Sequence, residues 1–292
     1  MAIVVVEFRD GRRIEVDSPF ETLADSATLE PENGVYLVAR TYEGDRVLDL
    51  DRHFDRVERS AAELGVALRV PRRPLRRELS AMVESLRGVE QGMVDGRFRV
   101  TAVLDDPPWY RLSVERARGV SEEVAARGVE CAIARWTTRR RARVKSTAWL
   151  AERRRLSAEA ALSDTSLDAP YEYLLLDGRE RILEGASSNF YAVAGDTLYT
   201  AAEGVLEGTA RRIVLEIAET MLPTIEVRME PIEESRLGDG TVDEAFLTSS
   251  TRGVVPIRAV GPHILGEPGS WTRRIAEAYR RELSRRLEAL VP

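Results

Sequence analysis

The chain reads as a two-domain α/β protein in which strands and helices are mixed rather than segregated. Three observations predict this. Its 292 residues are 43% hydrophobic, enough to bury a large core. Segments with strand-like and helix-like apolar spacing follow one another without a regular βαβ rhythm. Residues 115–128 (ERARGVSEEVAARG) are polar with little strand pattern, which sets a boundary between a smaller domain, 1–118, and a larger one, 119–292.

Taken in order, residues 2–8 and 35–42 predict strands. In VYLVARTY, the period-2 alternation puts Tyr36, Val38, Arg40 and Tyr42 on one face. Asp51 predicts an N-cap for a helix to about residue 64, with Phe54, Val57, Ala61 and Leu64 inward. Pro74 opens a second helix with Leu75, Leu79, Met82, Val83 and Leu86 inward. RFRVTAVL and WYRLSVE form a strand pair around DDPP. Past the boundary, VECAIARW is a strand and a helix follows residue 145 as far as about 162. YEYLLLD, FYAV and TLYT are strands divided by DG and GD turns. GTARRIVLEIAETML is a helix, IEVRME and EAFLTSS are strands, and an amphipathic helix begins near Trp271.

Several function classes are excluded or disfavoured. No apolar run is long enough to span a bilayer, and the first residues read as a strand rather than a signal peptide. One cysteine, Cys131, with His53 and His263 is a poor metal-ligand stock, so no metal is expected, and the location expected is cytoplasmic. A net charge of −6 disfavours a dedicated nucleic-acid binder. The run RWTTRRRAR, with Arg135, Arg139, Arg140, Arg141 and Arg143, could track phosphates while Trp136 stacks on a base. That non-catalytic reading is the remote alternative, and part of the run could instead neutralise a cofactor or a carboxylate substrate.

One residue stands apart. Among 43 lysines and arginines a single lysine occurs, Lys145, leaving 42 arginines. Arginine serves as well in most surface roles but cannot lose its proton and attack a carbonyl, whereas a primary amine can form a Schiff base. Pyridoxal phosphate needs such an amine, an acid at its ring nitrogen and a phosphate cradle. ILEGASSNF supplies Glu184, the only carboxylate in a run of small and polar residues. VLEGTARRIV opens a helix whose first N–H groups form an anion site. LTSSTRG adds hydroxyls at Thr248, Ser249, Ser250 and Thr251. RHFDRVERS places Arg56 three residues after His53, where a bidentate phosphate contact is feasible.

Together and in this order, the segments 35–42, 53–57, Lys145, 184–189, 206–211 and 246–257 resemble the class IV (fold type IV) pyridoxal-phosphate family. That family comprises branched-chain and D-amino acid aminotransferases and aminodeoxychorismate lyase. The resemblance implies a two-domain enzyme with pyridoxal 5′-phosphate in the interdomain cleft, acting as a homodimer. It makes Lys145 the Schiff-base and proton-transfer lysine and pairs Glu184 with the ring nitrogen. Arg56, the N–H groups of Thr209 and Ala210, and Ser250 would hold the phosphate. Tyr36, Arg40, Arg99 and Thr251 are the candidates for substrate contact. The implied reaction is ping-pong amino transfer between an amino acid or amine and a 2-oxo acid. The alternative is a lyase releasing pyruvate and 4-aminobenzoate.

The chain departs from the family pattern mostly on the substrate side. Thr209–Ala210 replaces Ile-Thr at the phosphate helix, so one hydroxyl is missing. ADSATLEPENG replaces the acidic-aromatic-glycine stretch before the first motif strand. Leu37 stands where a Glu is common, and Trp149 and Leu150 lie where branched-chain enzymes have a tyrosine.

Overall fold

The structure, a computed structural model, describes residues 3–9, 11–86, 93–135, 139, 141–162 and 170–292, without the side chains of 157–162. The chain forms two compact units. The first is Met1–Arg118 with Val144–Glu152 and Arg286–Pro292, and the second is Gly119–Arg143 with Arg153–Arg285. The division after Arg118 coincides with the boundary read from the polar segment, but two later pieces return to the first unit. Lys145, expected in the larger domain, therefore belongs to the smaller unit. The reason is local: Val144 is 3% exposed in that unit's core, and Lys145 is hydrogen-bonded along an edge of its sheet.

In the first unit, seven antiparallel strands run in the order Leu287–Ala289, Arg46–Leu48, Gly34–Tyr42, Gly96–Val103, Trp109–Arg116, Val4–Arg9 and Arg12–Val16. Alternation decides what each face holds. Val35, Leu37 and Ala39, with Phe98, Val100, Ala102, Leu112 and Val114, form a core with helices Leu50–Glu63 and Arg72–Ser85. The opposite face carries Tyr36 beside Thr101 and Arg111, then Val38 beside Arg99 and Ser113, then Arg40 beside Arg97 and Glu115. The first helix is capped by Asp49, at φ 44°, and not by Asp51, which lies in its first turn. Pro74 sits in the first turn of a helix that starts at Arg72.

The second unit holds a ten-stranded mixed sheet. Its order is Glu226–Arg228, Thr197–Tyr199, Asn189–Ala194, Glu244–Ser249, Gly253–Val260, Val129–Ala134, Glu172–Leu176, Arg181–Gly185 and Ile232–Glu233, with His263–Ile264 beside Gly253–Val260. Val129–Ala134 runs parallel to both of its neighbours. Helix Thr209–Met221 buries Ile213, Val214, Ile217 and Ala218, and helix Ser270–Arg286 buries Trp271, Ile275 and Tyr279. The polar segment hides a short helix, Glu122–Arg127, capped by Ser121. Glu184 lies on strand Arg181–Gly185 rather than in a loop, because Asn189 and Glu184 pair across the turn between them.

Candidate active site

Lys145 reaches its place as a stub of strand. The Tyr36 N–H donates to the Lys145 carbonyl at 2.9 Å, Val35 bridges to Ser146, and the Lys145 N–H donates to Ser60 Oγ at 3.2 Å. Thr147 then fastens the helix that follows. Its hydroxyl accepts from the Gly34 N–H at 2.9 Å and lies 3.0 Å from the Glu32 carbonyl. With the backbone held at both ends, Lys145 Nζ lies 5.1 Å from the centroid of the buried Tyr36 ring. That ring offers its negative face to the amine. Tyr36, proposed from strand alternation alone, is thus brought to the lysine.

Arg56 is 6% exposed on helix Leu50–Glu63, one turn from His53, which is wholly buried. Arg56 Nη2 donates to His53 Nδ1 at 3.1 Å. Guanidinium has only donors, so His53 carries its proton on Nε2, which has no hydrogen-bond partner among the described residues. Burial, then the charges of Arg56 and Lys145, push the imidazole well below its usual range and keep it neutral. The result is a buried cation suited to an anion.

The remaining cofactor candidates belong to the second unit. Glu184 is 2% exposed. Its Oε1 pairs with Arg139 Nη1 at 2.9 Å and its Oε2 accepts the Leu206 N–H at 2.9 Å. The Leu206 carbonyl in turn accepts from Asn189 Nδ2 at 2.8 Å. A Cβ on Gly208 would come within 2.3 Å of Asn189 Oδ1, so only glycine fits beneath that amide. Gly208 begins helix Thr209–Met221 with no side-chain cap, and Thr209 and Ala210 are 6% and 1% exposed. Arg211 anchors the first turn by donating to the Ala201 carbonyl at 2.6 Å. Ser250 and Thr251 lie half-buried in the turn that ends strand Glu244–Ser249, and Thr248 Oγ1 is 3.3 Å from Tyr191 Oη.

The two arginines considered for a substrate carboxylate have other partners. Arg40 pairs with Asp95 at 3.0 Å and covers the Tyr42 ring. Arg99 is 3% exposed, and each of its three nitrogens donates to the segment before the strand: Nε to Glu30 at 2.8 Å, Nη1 to the Leu23 carbonyl at 2.9 Å and Nη2 to Ser26 Oγ at 2.7 Å. The basic run is likewise tied to carboxylates, with Arg135 on Glu180 and Glu234 and Arg143 on Glu207. Trp136 and Arg140 lie outside the described residues. The sequence reading missed Ser60, the Leu206 N–H as a partner of Glu184, and the Arg139–Glu184 pair. Only the His53–Arg56 spacing carried a local sign, since residues three apart on a helix share a face.

The first unit thus carries a primary amine and a buried guanidinium, and the second a buried carboxylate and a buried helix start with no side-chain cap, each a group of a kind that pyridoxal phosphate requires. The model of the amino-transferase class IV family matches residues 34–260. The D-alanine aminotransferase of Bacillus licheniformis is 26% identical over 271 residues, 86% of this chain and 88% of that one. The fold is shared with a branched-chain aminotransferase from Thermoproteus uzoniensis solved with norvaline (TM-score 0.72, 23% identity, 98% and 99% of the two chains). It is shared too with an aminotransferase from Brucella abortus bound to the cofactor PLP (TM-score 0.72, 20% identity, 96% and 99% of the two chains). With its motifs seated on this fold and the family match spanning well over half of its length, the chain belongs to the class IV aminotransferases, enzymes that work with pyridoxal 5′-phosphate.

Proposed function

We propose that the chain is a transaminase that passes an amino group from an amino acid or amine to a 2-oxo acid in two half-reactions, with Lys145 as the catalytic residue. The observation that carries this reading is the placement of the only lysine, with its backbone pinned and its amine over the Tyr36 ring. When bound, the cofactor supplies an electron-withdrawing ring that stabilises negative charge at the substrate Cα. Lys145 Nζ would hold the cofactor through a covalent bond and, as the free amine, would take up the proton lost from the substrate Cα. Glu184, paired with Arg139, would hold a proton on the ring nitrogen, and Arg56, the Thr209 and Ala210 N–H groups and Ser250 would hold the phosphate.

Transamination is preferred over the lyase reaction because the similarity to a D-alanine aminotransferase spans 88% of that enzyme. The test follows each half-reaction separately, using L- and D-amino acids and primary amines and reading the absorbance of the lysine-bound cofactor. Stoichiometric loss of that absorbance with formation of the 2-oxo acid or carbonyl product, reversed by a 2-oxo acid, is the expected result. Release of pyruvate and 4-aminobenzoate from aminodeoxychorismate, with no amino transfer, would replace this reading by the lyase.

A further inference from the structure

The segment that departs from the family pattern, ADSATLEPENG, is the one that holds Arg99. Arg99 stands on the same sheet face as Tyr36. It is two residues from Thr101, the cross-strand neighbour of Tyr36, and such diagonal neighbours lie about 7–8 Å apart. An arginine on this face, a diagonal neighbour of the tyrosine whose ring lies beneath Lys145, carries a fork of the geometry that reads a carboxylate. Yet all three of its nitrogens are committed to Leu23, Ser26 and Glu30. The Glu30 and Arg99 side chains are 2% and 4% exposed. Glu30 Oε2 has no hydrogen-bond partner among the described residues, so compensation of this buried charge falls on Arg99. Drawing Arg99 toward a substrate would strand Glu30 as a buried, unpaired anion, which is strongly unfavourable.

We infer that Glu30 is a specificity-determining residue: it holds Arg99 away from the substrate, so the Tyr36 face receives the amino donor without a carboxylate contact from this arginine. Resting on the transaminase reading, this assigns the face to the carbon substituents of an amine donor. The carboxylate of an amino acid gains nothing there.

The experiment compares alanine, as each enantiomer, with isopropylamine, in which a methyl group replaces the carboxylate. Rates of the first half-reaction are measured on the wild-type holoenzyme and on Glu30→Gln, Glu30→Ala and Arg99→Met. Loss of the Glu30 charge should raise kcat/KM for alanine relative to isopropylamine, by about tenfold or more in Glu30→Ala and by a smaller factor above twofold in Glu30→Gln, while Arg99→Met leaves the wild-type ratio within about twofold. Glu30→Gln keeps shape and one acceptor, so it carries the test if Glu30→Ala does not fold. In the cofactor-free protein, thermal unfolding should give a lower Tm for Glu30→Gln, and adding Arg99→Met should restore part of the loss, since both charges then leave together.

An unchanged donor ratio in a folded Glu30 variant would overturn the inference. So would a wild-type KM for alanine that rises on Arg99→Met while that for isopropylamine does not, or Tm losses that simply add. Were neither donor, nor any other amine, to discharge the wild-type holoenzyme, the transaminase reading would fall. The Tm cycle would then still decide whether the two side chains depend on one another.

Discussion

Lys145 and Glu184 belong to different units and are held in opposite ways. The lysine is positioned through its backbone: an N–H to Ser60, a carbonyl to Tyr36, and the Thr147 hydroxyl beyond. Glu184 is positioned through its carboxylate, one oxygen to Arg139 and the other to Leu206. In the proposed reaction Lys145 trades partners during turnover, and main-chain bonds fix such a residue without depending on any one partner of its amine. A group whose work is to remain a charge is best fixed at the charge. Arg56 lies between these cases. Its guanidinium is buried and donates to a neutral imidazole, a partner that brings no negative charge of its own.

Breaking the first half should have the largest effect. Lys145→Ala is expected to lose all covalent retention of the cofactor, read as absence of the label after borohydride reduction and peptide mapping. Lys145→Arg should behave nearly as badly because guanidinium stays protonated. The only other primary amine is the N-terminus, so a Lys145→Ala protein that still retained the cofactor covalently would remove Lys145 from its role.

In the second half, Glu184→Gln keeps the acceptor for Leu206 but deletes the charge. Removal of the Cα proton should slow by two orders of magnitude or more, about 3 kcal/mol, while cofactor still binds. Arg139→Met should destabilise the cofactor-free protein by about 3–5 kcal/mol, because it removes the paired cation from a carboxylate that is 2% exposed. If Arg139→Met unfolds at the wild-type temperature, the pair is not what fixes the carboxylate, and the contrast between the two halves weakens.

Smaller effects sharpen the case of Arg56. Arg56→Lys exchanges a planar fork for a point charge and should weaken cofactor retention by about 1.5–3 kcal/mol, measured as the dissociation constant in phosphate-free buffer. Equal retention by pyridoxal and pyridoxal phosphate would move the phosphate contact elsewhere. His53 gives the mildest test. Its folded pKa is depressed, so near its ordinary value of 6.5 the unfolded chain takes up a proton that the folded protein does not. Stability should therefore fall as pH drops below about 6.5, by at most about 1.4 kcal/mol per pH unit from this group. In the cofactor-free protein, the slope in Cm between about pH 7 and pH 5 should flatten in His53→Gln, and identical slopes would show that His53 is not buried and neutral.

Much of this molecule is written locally. The alternation that puts Tyr36 and Arg40 on one face of their strand and the glycine that opens helix Thr209–Met221 depend on neighbours within a few residues, and the uniqueness of Lys145 is plain from composition. Side-chain period and cap chemistry read those directly. Helix starts shifted by about two residues, and the larger changes came where the determining contact was distant. Strand Leu287–Ala289 exists because it pairs with Arg46–Leu48, more than two hundred residues earlier. Lys145 joined the smaller unit because an open edge of its sheet accepted residues 145–146. Local spacing accounts for exposed pairs such as Arg281–Glu277, but the partners of the buried charges were decided by tertiary structure. In a chain with 42 arginines and 49 acidic residues, no spacing rule selects Glu30 for Arg99, 69 positions away, or Arg139 for Glu184, 45 away. Burial selects them, since an interior charge is tolerable only where folding has already brought its opposite within hydrogen-bonding distance.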